Sequence, residues 1–206
     1  MRYTGPRNRL SRREGIDLGL KTVGSKAQSN LLRKIGIIPG QHGKSRIKKS
    51  SDYGVQLREK QKLKRMYGIT ESQMKIYFKK ANKKVGNTAE HLINTLERRL
   101  DNVVFKLGFA PTRASARQLV GHGHILVSSK KVTIPSYLIS QNDMITFKKE
   151  KTTKIDYIAP LLEKKDFVVV SWLTRQGTTG KVVGNPELTH FQEEVNLQSV
   201  VEFYSR

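Results

Sequence analysis

Cysteine is absent from the 206 residues, which excludes disulfides and any thiolate-ligated metal. Long apolar runs are missing too: none approaches the roughly 20 residues of a membrane-spanning helix, and Met1-Arg2-Tyr3-Thr4-Gly5-Pro6 is followed by no signal-type apolar core. Together these absences predict a reducing compartment, the cytoplasm or an organelle interior, and no membrane partner. Acidic residues are scarce, 17 Asp+Glu against 39 Lys+Arg, and the net charge of +22 calls for a densely anionic partner, nucleic acid before any other. Hydrophobic residues make up 36%, enough for one or two modest cores.

The charge is unevenly spread. Residues 1–90 carry 23 Lys+Arg against 6 Asp+Glu, net +17, whereas residues 91–206 carry 16 against 11, net +5. From Glu187 onward the sign reverses, with Glu187, Glu193, Glu194 and Glu202 facing only Arg206. An acidic end on a basic chain points away from phosphate and toward a basic protein neighbour.

Residues 1–50, rich in Gly, Ser, Asn and basic side chains, show no sustained period, so they read as an arm without a core that orders on phosphate. Helical signals begin at Ser51-Asp52 and run to Tyr67 before Gly68. Thr70-Glu71-Ser72-Gln73 is a capping box, after which Met74, Tyr77, Phe78 and Ala81 form an apolar stripe opposite Lys75, Lys79 and Lys83. A third helical stretch, capped at Asn87-Thr88, keeps Leu92, Leu96, Leu100, Val103 and Leu107 on one face as far as Gly108. Thr112 caps a short helix to Val120. Short strands are predicted at 125–127, 132–134, 144–147 and 167–173, with a basic helical or irregular insertion at 148–165. Leu197, Val200, Val201 and Tyr204 make a last helical stripe that needs an apolar face from the helices of 51–90.

The constellation with most chemistry lies between Asp101 and Phe147. A helix presenting Arg113, Arg117 and Gln118, both arginines off its apolar face, beside a basic hairpin with Lys130 and Lys131 suits phosphates read by shape. His122 and His124, in the glycine loop between them, fit phosphate contact better than a metal, for which no third ligand is spaced. Gln41 and His42 stand in a Pro-Gly-Gln-His-Gly turn that permits close backbone approach, though such a turn is also an ordinary flexible one. The lysine-dense helix with Arg58, Lys62 and Arg65 has too few acids to pair its charge. Catalytic readings fail. Gly180-Lys181 lacks the first glycine and the Ser/Thr of a phosphate loop, Gly177-Thr178-Thr179-Gly180 reads as a hairpin turn, and Trp172 reads as core. No catalytic residues, metal or cofactor are expected.

The residues resemble the bacterial-type small-subunit ribosomal protein S-four family. The resemblance rests on Ser11-Arg12-Arg13-Glu14-Gly15, Pro39-Gly40-Gln41-His42-Gly43, Ser51 through Lys62, Gly86-Asn87-Thr88, Arg99-Leu100-Asp101-Asn102-Val103-Val104, Thr112-Arg113-Ala114 and Ala116-Arg117-Gln118-Leu119-Val120. It implies an α+β fold: a basic extended N-terminal arm (1–45), a helical domain (46–97, completed by 187–206), and a second domain (98–186) whose small antiparallel sheet packs on helices and carries the RNA-binding module. The implied role is structural. Members bind a multi-helix junction of small-subunit ribosomal RNA, nucleate assembly of the subunit body, sit where messenger RNA enters, and meet small-subunit protein five at an interface that affects decoding accuracy; some repress their own operon. The candidate RNA contacts are accordingly Arg2, Arg12, Arg13, Gln41, His42, Lys44, Arg46, Lys48, Lys49, Tyr53, Arg58, Lys62 and Arg65, with Arg113, Arg117, Gln118, His122, His124, Lys130 and Lys131.

Two departures stand out. Relatives with a zinc-holding arm carry cysteines where this chain has Asn8, Ser11, Ser25 and Asn30, so RNA is expected to order the arm in place of metal. The family hairpin often has Asn-Gly where this chain has Ser128-Ser129, and serine's resistance to positive φ argues against a type I′ turn. The competing readings are an RNA-modifying enzyme that borrows the module, for which the chain leaves no room, and a free RNA-binding regulator.

Overall fold

The computed structural model describes residues 3–43, 50–164, 167–188, 191 and 194–206. The chain forms two compact units, Met1–Leu92 with Gln192–Arg206, and Ile93–Phe191. The architecture is helical in the first and helix-plus-sheet in the second, the α+β class expected. Among the described residues, no helix is long and apolar enough to cross a membrane.

The first unit holds α1 (Arg7–Glu14), α2 (Lys26–Leu32), α3 (Asp52–Met66), α4 (Glu71–Asn82) and α10 (Leu197–Ser205). Local signals account for most of the boundaries. Ser51 and Thr70 accept hydrogen bonds from Gly54 N and Gln73 N to cap α3 and α4, while Gly68 takes φ 61° beyond α3. Met74, Phe78 and Ala81 are buried, as their spacing predicts. Asn196 caps α10, which packs on α3 through fully buried Val200, and Tyr204 stacks on Phe78 at 5.0 Å.

The arm differs from its sequence reading. It is not coreless: α1 and α2 bury Leu18 and Leu31. The reason is intrachain chemistry that periodicity does not register. The Glu14 side chain is fully buried and accepts from Arg58 (3.3 Å) and Arg65 of α3, Arg12 donates to Ile37 O at 2.9 Å, and Asn8 donates to Ala27 O at 2.8 Å. Burial pushes the Glu14 carboxyl up against the pull of Arg65 and Arg58, and pushes the Arg65 guanidinium down, so this pair fixes α1 in one place more than it stabilises it. Ser25 caps α2. The neutral amides and hydroxyls at Asn8, Ser11, Ser25 and Asn30 do not fit zinc, and Asn8 and Ser25 spend their polar groups on the backbone instead.

The α5 helix (Thr88–Glu97) leads into the second unit, which continues with α6 (Leu100–Lys106), α7 (Arg113–Gly121), β1 (Ile125–Val127), β2 (Lys130–Lys131), β3 (Met144–Phe147), α8 (Glu150–Thr153), α9 (Ala159–Glu163), β4 (Leu173–Gln176) and β5 (Thr179–Val182). The five strands lie in the order β2-β1-β3-β5-β4, all antiparallel, with Leu126 opposite both Lys131 and Thr146, and Ile145 opposite Gly180. One core joins sheet and helices: Leu100, Val103, Leu107, Leu119, Val120, Ile125, Ile145 and Trp172 are buried in it. Each fully buried aliphatic contributes about 1.5–3 kcal/mol.

Four expectations are corrected here. The helix expected to run unbroken to Leu107 stops at Glu97 and restarts at Leu100, because Arg99 is extended and bridges Leu138; Leu100 N and Asp101 N then donate to Tyr137 O (2.8 Å) and Pro135 O (3.1 Å), partners distant in sequence. The strand expected at 132–134 lies at 130–131, because the tight turn sets the register. The strand expected at 167–173 begins only at Leu173, and its partner β5 completes a hairpin through the Gly177-Thr178 turn. Ser128 and Ser129 do adopt positive φ, 47° and 69°, between paired Val127 and Lys130. Ser128 Oγ donates to Asp143 Oδ1 (2.9 Å) and its N–H to Met144 O (2.7 Å), which holds the turn despite its strain.

Ser129→Gly should therefore stabilise the second unit by about 0.5–1 kcal/mol, relief of left-handed strain less glycine's extra freedom when unfolded. Thermal denaturation would read this as a gain of about 2 °C. In the first unit, burial opposes ionisation of Glu71, yet hydrogen bonds from Tyr204, Lys60 and Lys64 hold its carboxyl down at about 2. Its folded pKa lies below the ordinary 4.5, so its stabilisation is complete above about pH 4.5 and is lost as pH falls toward 2. Wild type should lose more melting temperature than Glu71→Gln when both are taken from pH 5 to pH 2.5.

Candidate nucleic-acid interface

The α6–α7 corner of the second unit is built on a polar lattice. Thr112 caps α7 by accepting from Ser115 N, which starts the helix where Arg113 turns inward. Arg113 is only 8% exposed: its Nε donates to Asn102 Oδ1 at 2.9 Å, and its guanidinium lies 4.8 Å from the Phe105 ring centre. Asn102 in turn donates to Glu97 O (3.0 Å) and Glu97 Oε2 (2.9 Å). Alongside, fully buried Arg99 pairs bidentately with Asp101 at 3.0 and 2.7 Å, the fork geometry that guanidinium and carboxylate share. Arg117 Nη1 sits 3.5 Å from the same carboxylate, with 31% of its side chain exposed.

This changes the reading of the two arginines. The expectation that both lie off the apolar face fails for Arg113, which braces α7 against α6, while Arg117 is part-exposed with its Nη1 buried beside Asp101. Spacing could not separate them, because the partner that captures Arg113 lies eleven residues earlier in the sequence.

Beyond Arg117 the surface continues through exposed Gln118 and His122. His124 is half-buried, its Nδ1 3.2 Å from Thr152 Oγ1, and its ring centre is 6.1 Å from that of His122. Gly123 takes φ 71°, a conformation that other residues rarely adopt, and the far end of the Lys131 side chain lies against it. The hairpin thus brings Lys131, with exposed Lys130, beside the loop that carries the histidines. The result is a cationic edge of Arg117, Lys130 and Lys131 backed by the buried, hydrogen-bonded corner of Glu97, Asn102, Arg113, Arg99 and Asp101. Such an edge can hold phosphate oxygens at fixed spacing without reading bases.

The arm and α3 candidates are differently placed. Arg13, Gln41 and His42 are exposed, and Tyr53 is 52% exposed. Arg58 and Arg65 meet Glu14, Lys62 donates to Glu59 at 2.7 Å, and Arg12 is turned to backbone carbonyls. Arg2, Lys44, Arg46, Lys48 and Lys49 lie outside the described residues.

The lattice predicts a separation between neighbours. Arg113→Ala should cost about 2 kcal/mol or more by stranding the buried Asn102 Oδ1, whereas Arg117→Ala, which loses a 3.5 Å contact to a carboxylate that Arg99 still holds, should cost clearly less and weaken RNA binding. Melting curves and filter binding on both variants check it; equal loss of melting temperature would make Arg117 structural as well.

Comparison with known proteins identifies the family. The profile described as ribosomal protein S4/S9 N-terminal domain matches residues 2–97, and the S4 domain profile matches 98–145. Small ribosomal subunit protein uS4 of Herpetosiphon aurantiacus is 49% identical over 213 residues, spanning 100% of this chain and 99% of that protein. The protein of the same name from Chlorobaculum tepidum is 47% identical over 208 residues and that from Variovorax paradoxus 44% over 211, each with 100% and 99% coverage. With full-length identity at this level and both profiles matched in order, the chain belongs to the uS4 family of small ribosomal subunit proteins.

Proposed function

We propose that the chain is a structural constituent of the small ribosomal subunit that binds ribosomal RNA directly and does no catalysis. The observation that carries this is the corner of α6, α7 and the β1–β2 hairpin. Its few acids are used inside, leaving Arg117, Lys130 and Lys131 at the surface of a matched S4 domain. The RNA target in this reading is a multi-helix junction, recognised by shape, and its binding nucleates assembly of the subunit body. Residues 1–45 act as a basic extension, 46–97 with 187–206 as the helical domain, and 98–186 as the module. The remaining candidate contacts, Arg12, Arg13, Gln41, His42 and Tyr53 in the first unit and Gln118, His122 and His124 in the second, meet the same RNA.

Three finer roles belong to the proposal. The basic cluster of Lys44, Arg46, Lys48 and Lys49 lies along messenger RNA where it enters. The acidic end, including exposed Glu194, faces a basic protein neighbour, and an interface with small-subunit protein five affects decoding accuracy. Repression of its own operon would use the same RNA-binding surface. The working location is the ribosome.

The test is affinity for a small-subunit junction RNA and for an unrelated duplex across a salt series. Six or more neutralised phosphates give a slope of log K against log salt of about −5 or steeper, with the junction bound at least about 100-fold more tightly. A shallow slope with no preference would remove the proposal.

A further inference from the structure

Helix α4 carries a charge arrangement that its own fold does not use. Lys75 and Lys79 in α4 and Lys83 at its C-cap stand at i, i+4 and i+8, one line of ammonium groups stepping about 6 Å at a time. Like charges at this spacing destabilise a helix. Lys80 adds a fourth cation beside them. Among the described residues none of the four is ion-paired. The one acid of α4, Glu71, is held by Lys60, Lys64 and Tyr204.

The line borders a groove of about 730 Å³ between α4 and α10, which Arg206 also lines. Its other wall is aromatic: Tyr204, stacked on Phe78, and Phe203, half-buried and edge-on to Tyr204 at 5.3 Å. Ile76 lines it too, 51% exposed. Among the described residues that line the groove, none is Asp or Glu. Glu202, on the adjacent helix, is engaged by Gln56 and Gln198.

We infer that this groove holds a single-stranded segment of the RNA the chain binds, its phosphates along Lys75, Lys79 and Lys83 and its bases against the aromatic wall. This rests on the RNA-binding reading above and adds a second contact surface, in the first unit, to the α7–hairpin edge. A duplex would offer the lysines phosphates but keep its bases from the aromatic wall, whereas an unpaired strand satisfies both. The regular step of the lysines matches a repeating backbone charge better than the irregular carboxylates of an acidic protein.

The full chain with Lys75→Gln, Lys79→Gln, Lys80→Gln and Lys83→Gln together tests it. Each lost phosphate contact on a single strand removes about 0.7 from the salt slope, so the slope should shrink by about 2–3 and low-salt affinity should fall at least about tenfold. The melting temperature should hold or rise as self-repulsion is relieved, and the matching Lys→Arg set should keep the wild-type slope. Because the chain has no cysteine, Lys79→Cys carries a tethered hydroxyl-radical source at one place only, and scission should cluster in one unpaired stretch of the junction RNA. Wild-type affinity and slope in the glutamine variant would overturn the inference, as would scission confined to duplex. Loss of polyglutamate binding with RNA binding intact would assign the groove to an acidic protein instead. Failure of the parent reading looks different: wild type itself would not distinguish junction RNA from the unrelated duplex.

Discussion

Carboxylates shared by two cations hold this protein together. Glu14 serves Arg58 and Arg65, Glu71 serves Lys60 and Lys64, and Asp101 serves Arg99 and Arg117. With 17 acids for 39 bases, one-to-one pairing is impossible, and the fold meets the constraint by placing single acids where elements cross. Glu14 fastens the arm to α3, Glu71 ties α3 and α4 to α10 through Tyr204, and Asp101 braces α6 and α7. Each junction keeps a residual positive charge. The sites that organise the fold are therefore also attractive to phosphate, and bracing and binding are not separate chemical systems here.

Sharing has an energetic consequence that differs with depth. At Asp101 the bidentate Arg99 pair is buried and well satisfied, so the corner is stiff. At Glu14 the carboxylate is enclosed with one oxygen unpartnered, and desolvation works against both Glu14 and Arg65. Such a junction adds specificity of placement more than net stability. The arm is thus docked by contacts that a phosphate could compete for, since Arg58 and Arg65 remain partly exposed.

Elements governed by neighbours in sequence were legible, and elements governed by distant partners were not. The caps at Ser51, Thr70, Thr112 and Asn196 and the stripes of α4, α5 and α10 depend on residues three or four apart, so spacing reveals them. The arm's order depends on Glu14 reaching 44 and 51 residues ahead. The break at Arg98-Arg99 depends on residues 135–139 supplying backbone partners, which no helical period encodes. At the candidate interface, sequence marked the cationic residue types but could not sort them, because Arg113 and Arg117 share a spacing and differ only in whether Asn102 captures the guanidinium. The lysine line of α4 was visible as the polar side of a stripe. Its significance required the groove beside it.

That sorting explains how a surface can recognise RNA by shape. A lysine or arginine on a free tether meets a phosphate wherever one lies, which adds affinity and little selectivity. Selectivity for a folded junction requires cations held at fixed mutual distances, and fixed distances require a frame that does not yield when the charge is engaged. In the second unit that frame is the Glu97–Asn102–Arg113 chain beside the Arg99–Asp101 pair, both buried, with β1 paired to β3 holding the hairpin that carries Lys130 and Lys131. In the proposed interface the buried arginine acts through its neighbour, by holding Arg117 at a set position one helical turn away. Alanine in place of either residue would weaken binding, but one change removes a contact and the other loosens the frame that gives contacts their spacing.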